Sequence, residues 1–413
     1  MNAPANVAVN AERLWATIME TAQFGATPKG GIKRLTLTDL DRQVRDWFRA
    51  ACEAAGCTVS VDDMGNMFAR RPGRDNSLPP IAVGSHLDTQ PTGGKFDGII
   101  GVLSGLELLR TLNDLHIETH APVEVVNWTN EEGARFSPGL MGSAVFAGAV
   151  DLATAYAATD RAGRSVGDEL ARIRYRGDAP VGGRPVDSYF ELHIEQGPEL
   201  EAMGVTIGAV THSHYSIFGD IECIGENGHQ QSLPMLRRRN ALVGAARLIA
   251  EIDRIGRAAA PAGSASAVVI DAWPNNRINI PHRAVFSYGI IHPNAEGLER
   301  MQAEIDAAIR MVADETDLAF NTLVARRRDP VHFTEDLVSL TEQAAGDLGY
   351  SATRMRTRPG HDAFNVLRLC PTELIFVPCR DGISHNELEY CSPEHVAAGA
   401  NVLLQVVARR ADS

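Results

Sequence analysis

Apolar positions along this chain alternate between two periods. In "LTDLDRQVRDWFRAACEAAG" they recur every three to four residues, with Asp near the start and Gly at the end, which predicts an amphipathic helix. "CTVSVDDMGNMFARRPG" alternates instead and predicts a hairpin turning at Asp63 to Asn66. Next come a strand at "IAVGSH", a helix at "DGIIGVLSGLELLRTLNDL" and a strand at "APVEVVNWTN". Strands alternating with helices of this length predict an α/β fold, a mixed sheet flanked by helices.

From about residue 212 the rhythm changes. Strands at "YSIFGDIECIGENG", "SAVVIDAWP", "HRAVFSYGII" and "LAFNTLVARRR", and helices at "LPMLRRRNALVGAARLIAEIDRIG" and "NAEGLERMQAEIDAAIRMVADE", form a set about the size of a small α+β domain. After "DPVHF" the first rhythm returns. The expected organisation is therefore a large domain over 1–211 and 328–413, with an inserted domain of four strands and two helices over 212–327. No repeat or low-complexity segment is visible.

The length of 413 residues agrees with more than one compact unit. A net charge of -13 with scattered Lys and Arg argues against nucleic acid or an anionic membrane as partner, because either needs a basic face. A small-molecule substrate fits better. No stretch approaches the roughly 20 apolar residues of a spanning helix, and "MNAPANVAVNAERLW" lacks a basic start followed by an apolar run, so a cytoplasmic protein is expected. Cys52, Cys57, Cys223, Cys370, Cys379 and Cys391 form no C-x-x-C pair and read as reduced core thiols.

The chemistry lies in four patches, "GSHLDT" with "KFDG", "NWTNEEGARF", "ELHIEQGP" and "GISHNELEY", each where an apolar strand ends. In open α/β sheets that edge binds ligands. A lone strand histidine is ordinarily structural and an acidic pair ordinarily a solvated face, but "EVVNWTNEE" sets its pair directly after a buried strand. Two divalent ions about 3.5 Å apart need a carboxylate between them. His86, Asp97, Glu132, His193 and His385 offer two terminal groups for each ion around one shared Asp. Asp88 is placed to take the proton on the other nitrogen of His86, and Glu131 is left to act as a base.

"GSHLDTQPTGGKFDGIIGVLSGLE", "NEEGARFSPGLMGS", "ELHIEQGPELEAMGVTIG" and "GISHNELEY" together resemble the dinuclear metal amidohydrolases that include N-carbamoyl-L-amino acid hydrolase, β-ureidopropionase and allantoate amidohydrolase, relatives of co-catalytic zinc carboxypeptidases and aminopeptidases. The resemblance runs over almost the whole chain. It implies that Asp97 bridges the ions, that His86 and His193 complete one site and Glu132 and His385 the other, and that Glu131 is the general base. The cofactors implied are two divalent ions per subunit, zinc first, with manganese, cobalt or nickel as alternatives. It also implies that the inserted domain is a lid and homodimer interface, with His229 in "GENGHQQSLPMLRRRNA" serving the partner's active site. Gln196 matches a residue contacting the carbamoyl or amide end of the substrate, and Gly360 and His361 in "TRPGHDAFNV" line the pocket.

The implied reaction is hydrolysis of a linear amide or ureido C–N bond: Glu131 takes the proton of the attacking water, His229 steadies the oxyanion, and a ureido substrate yields amine, carbon dioxide and ammonia. Two features depart from the resemblance. Ile291, in "YGIIHP", stands where an Arg would clamp the substrate carboxylate, and an apolar side chain makes no such paired hydrogen bonds. The Asn that helps hold that carboxylate falls on Ile278 by counting, one residue from Asn279. "THSHYSIF" brings His212 and His214 near, and Arg358 stands where a small residue is usual. Either Arg277, His292 or His214 supplies the cation, or the substrate lacks the α-carboxylate. The alternative activities are an N-acyl amino acid hydrolase or amidase, a dipeptidase-like enzyme and a hydrolytic deaminase on the same scaffold. A non-catalytic binding protein is disfavoured because all five ligands and Glu131 are present.

Overall fold

The computed structural model describes residues 7–412. Numbered along the chain, the strands are β1 Thr58–Val61, β2 Met67–Arg71, β3 Ile81–His86, β4 Val123–Trp128, β5 Ser188–Ile194, β6 Ile207–Ser213, β7 Tyr215–Ile224, β8 Gly228–His229, β9 Ser264–Trp273, β10 Asn279–Ile280, β11 Arg283–His292, β12 Ala319–Arg328, β13 Ala352–Thr357 and β14 Thr372–Val377. The chain forms two compact units, one running to Thr211 and resuming at His332, the other spanning His212–Val331.

The first unit is built on a mixed sheet in the order β1-β2-β4-β3-β5-β14-β6-β13. Its centre, β4-β3-β5-β14, is parallel, whereas β1, β2 and β6 join antiparallel. Every residue of β3, β4, β5 and β14 is buried, as parallel strands covered on both faces require. The four strands end nearly level, with His86 opposite Trp128 and Phe376 opposite His193. One edge of the sheet thus collects the loops that follow them.

The helix Ile99–Asp114 is apolar nearly all round and lies buried against β3, β4 and β5. Gly101 allows this approach: a Cβ there would sit 2.6 Å from the Leu192 carbonyl oxygen. Helix Pro393–Ala411, started by Ser392 capping the His395 amide, packs beside it and on β14 and β5. No helix among the described residues is long and apolar enough to cross a membrane.

The second unit is an antiparallel sheet, β12-β7-β11-β9, with helices Ala241–Ala259 and Ala295–Thr316. Along β11 the residues Ala284, Phe286, Tyr288 and Ile290 enter a core with Leu248, Ile252, Leu298 and Ile305, while alternate residues face away. β12 continues to Arg328, and Val331 still exchanges hydrogen bonds with Ser213, so the unit extends past residue 327. Patterning ran the first of these helices from Leu233. It begins only at Ala241, capped by Asn240, and Met235–Arg237 is a short 3-10 turn after Pro234. The two-residue ladder β8/β10 is too short for any periodicity to reveal.

Glu373 is the one carboxylate of β14, and the amide of Leu374 and the charge of Arg354 favour its ionised form. Burial pushes its pKa well up. Because the folded value exceeds the unfolded one, folding retains a proton, and stability falls as pH rises from about 4.3, the ordinary glutamate value, through the folded pKa. Glu373→Gln is therefore expected to stabilise the protein at pH 8 by about 1 kcal/mol or more and to flatten the fall in melting temperature between pH 5 and 9. Scanning calorimetry across pH checks this, and an unchanged slope would refute it.

Candidate active site

Each predicted metal ligand comes from the carboxyl end of a central parallel strand or the loop after it. His86 closes β3, Asp97 precedes the buried helix, Glu131 and Glu132 follow β4, His193 lies in β5, and His385 lies on the loop after β14. The loops hold their shape through unusual backbone: Asn130, Gln196 and His385 all have positive φ, at 57°, 56° and 53°. Non-glycine residues in this region are uncommon and cluster at sites. Gly98, with φ 67°, has no alternative, since a Cβ there would lie 2.2 Å from Nε2 of His86.

The structure brings these side chains together around Asp97. Its Oδ1 lies 3.6 Å from His86 Nε2 and 3.1 Å from His193 Nε2. Its Oδ2 lies 3.3 Å from His385 Nε2, which is also 3.3 Å from Glu132 Oε2. Glu131 Oε2 stands 3.3 Å from His86 Nε2. His86–Asp97–His193 and Asp97–Glu132–His385 each have ligand atoms within reach of one ion. Ligands at about 2.1 Å around a tetrahedral ion stand roughly 3.4 Å apart, close to these separations.

Hydrogen bonding supports a cation here. His86 Nδ1 is engaged by the Asp88 main-chain carbonyl and His193 Nδ1 by that of Ile194, both at 2.9 Å. In those tautomers each Nε2 carries a lone pair: that of His193 accepts the Gly98 amide at 3.1 Å, while Nε2 of His86 is buried with no hydrogen-bond partner. Burial opposes charge on His86, but Glu131, Asp97, Asp88 and Glu132 outweigh it and raise its pKa well above normal. His385 is pushed up to about 9 in the same way, burial being overcome by Asp97 and Glu132. Burial, then Asp362 and Glu132, raises Glu131 strongly. The cluster holds more negative charge than its histidines neutralise, and that deficit suits divalent ions.

One expectation is corrected. The carboxylate of Asp88 does not take the His86 proton: its Oδ1 is 3.9 Å from Nδ1, and the main-chain carbonyl does the work. The side chain crosses instead to the loop after β4, 3.4 Å from the amides of Glu131 and Glu132.

Sequence reasoning missed several neighbours. Gln90 donates to Glu132 Oε2 at 2.8 Å through its side chain and to Oε1 at 3.1 Å through its amide. Glu389 Oε1 accepts the amides of Phe96 and Asp97. Ser384 donates to Asp97 Oδ2 at 2.8 Å. His361, expected from the sequence to line the pocket, packs edge-on behind His193 with ring centroids 4.6 Å apart, tied by Nε2 to Thr357 Oγ1 and kept neutral by burial and by His193. Glu191 also groups with His193 and His361, but His193 Nδ1 is already engaged, which leaves His193 no second nitrogen for a separate ion. Gln90, Ser384 and Glu389 lie inside the stretches quoted above, but their spacing gave them no role, and only the fold shows what they hold.

Gln196 donates from Nε2 to Asp97 Oδ2 at 2.7 Å and to Ser384 Oγ at 3.0 Å. Arg358 is half-buried, 3.4 Å from Glu199, and Gly360 is half-buried beside His361. In the second unit, His229 and Asn279 are direct partners in the β8/β10 ladder and share a face, while Ile278, just before β10, is exposed. His214 is buried after β6, and Arg277 is exposed. Ile291 lies on the face of β11 turned from the helices; His292 turns into the core, where its ring receives the Asn294 amide, so it is no substitute for a cation at Ile291.

Residues 82–409 match the description of peptidase family M20/M25/M40. An N-carbamoyl-L-amino-acid amidohydrolase of Rhizobium meliloti is 44% identical over 98% of both chains. One of Geobacillus stearothermophilus is 33% identical over 97% of this chain and 98% of its own. A crystal structure of a hydantoinase/carbamoylase family amidase from Burkholderia vietnamiensis superposes with a TM-score of 0.94 at 46% identity, covering 100% of both chains.

If the cluster binds ions, zinc added to metal-free protein at 100 times its Kd should stabilise it by about 2.7 kcal/mol per site. His86→Ala should lose the share of one site. Thermal melts with and without zinc measure both, and identical shifts in the two proteins would contradict the ligand assignment.

Proposed function

The chain belongs to peptidase family M20/M25/M40, and on that premise we propose that it hydrolyses a ureido C–N bond in N-carbamoyl amino acids or closely related ureido acids. It is a hydrolase of non-peptide C–N bonds in linear amides. The observation that favours a ureido over an acyl substrate is the direction of the Gln196 amide. An ionised carboxylate only accepts hydrogen bonds, so the group 2.7 Å from Asp97 Oδ2 is the Gln196 nitrogen. That nitrogen spends its protons on Asp97 and Ser384, and the carbonyl is left to face the substrate. A carbonyl selects an N–H donor, which a terminal carbamoyl NH2 offers and an alkyl acyl group does not.

His86, Asp97 and His193 would hold one divalent ion and Asp97, Glu132 and His385 the other. Bound there, such ions polarise a carbonyl and make water acidic near neutral pH. Glu131, buried and crowded by Asp362, Glu132 and Asp97, takes the proton of the attacking water and delivers it to the leaving nitrogen. The products are amine and carbamic acid, which decomposes to carbon dioxide and ammonia.

We take the protein to act in the cytoplasm as a homodimer in which His229 and Asn279 of one copy serve the other's site. β9 supports this pairing: it is an edge strand with Val268 78% exposed and Ile270 and Trp273 also open. Arg358 and His214 remain candidates for substrate contact. With Ile291 apolar, the acid group of the substrate depends on some other cation or is dispensable.

An N-carbamoyl amino acid should release ammonia and amine in equal amounts. Chelation should abolish that activity and zinc, manganese, cobalt or nickel restore it, while Glu131→Gln should lower kcat by about 10²- to 10⁴-fold. Faster turnover of N-acyl amino acids, releasing a carboxylic acid and no ammonia, would favour the alternative. Ureido compounds paired with analogues lacking the carboxylate should differ little in kcat/KM if the acid group is dispensable; a large preference would point to a replacement cation.

A further inference from the structure

The hydrogen bonds around Asp97 divide the work of its two oxygens. Oδ1 faces His86 and His193 and has no side-chain amide or hydroxyl donor, whereas Oδ2 accepts from Ser384 Oγ at 2.8 Å and from Gln196. Ser384 also lies 3.1 Å from Glu389 Oε2. The other oxygen of Glu389 takes the amides of Phe96 and Asp97, each at 3.0 Å. One side chain therefore meets both holds on Asp97: Glu389 accepts the main-chain amides of Phe96 and Asp97, and it sits against the Ser384 hydroxyl that reaches Oδ2. Glu389 is 5% exposed. It reaches this position because residue 94 has no side chain: a Cβ on Gly94 would lie 2.1 Å from Glu389 Oε1. Glu387, two residues earlier, turns the other way to Thr27 and Lys29.

We propose that Glu389, acting through Ser384, is a positioning residue that fixes the rotation of the Asp97 carboxylate and so sets the affinity of the ion position shared with Glu132 and His385. The inference rests on the two-ion reading of the site. Without Glu389 the loop at 96–97 loses the acceptor for two amides, and Ser384 is free to turn from Oδ2. The position built on Oδ1, His86 and His193 keeps its ligands. Loss should thus fall on one ion and spare the other.

Metal-free protein titrated with cobalt(II), followed by visible absorbance and calorimetry, tests this. The unsubstituted chain should take two ions. Glu389→Ala should bind the first as before and the second about 10- to 100-fold more weakly. Glu389→Gln keeps a carbonyl for the two amides and an N–H for Ser384, and should recover most of the loss. Ser384→Ala, which leaves the buried carboxylate in place, should weaken the same ion and covers the case in which Glu389→Ala does not fold. Two ions bound with unchanged affinities in Glu389→Ala or Ser384→Ala, or equal weakening of both, would overturn the inference while leaving the two-ion reading intact. Fewer than two ions in the unsubstituted chain would overturn that reading and the inference with it.

Discussion

Everything at the site depends on one buried carboxylate. Asp97 stands within 3.6 Å of three imidazole nitrogens, and the closeness of His193, His385 and His86 overcomes its burial and holds its pKa well below the usual range. A charge buried in this way must be matched by neighbours or by ions. The surrounding groups follow from that requirement: histidines with one nitrogen tied to the backbone, carboxylates beyond them, and amide or hydroxyl donors on the remaining lone pairs.

The sheet makes the arrangement rigid. Four parallel strands buried on both faces end at one edge, and the helix after Asp97 packs close to β5 because Gly101 is bare. Ligands at strand ends or on short loops move little, whereas positive φ at Asn130, Gln196 and His385 shows where loop backbone is bent into place. Such conformations cost of order 1–3 kcal/mol each, a cost the surrounding packing must offset.

Much of the fold was legible in the pattern of apolar positions. Continuous runs marked the central strands, alternation marked β11, and the change of rhythm near residue 212 marked the second unit. Short elements were not legible. The β8/β10 ladder has two residues per strand, and the apolar residues of "LPMLRRR" mimicked a helical turn although Met235 and Leu236 are exposed. Periodicity needs several residues to register, and a lone exposed apolar pair imitates it.

At the site, the sequence by itself determined which residue types are available and that they follow strand ends, because metal ligands are few and strand ends are recognisable. It left direction undecided. Only the tertiary structure places the Asp88 carbonyl on His86, turns the Gln196 nitrogen toward Asp97, chooses Glu389 over Glu387, and sends His292 into the core while Ile291 faces away. Each choice depends on where a side chain's two ends point, and that is set by contacts between segments up to about three hundred residues apart, such as Asp97 and Glu389, which no local pattern encodes.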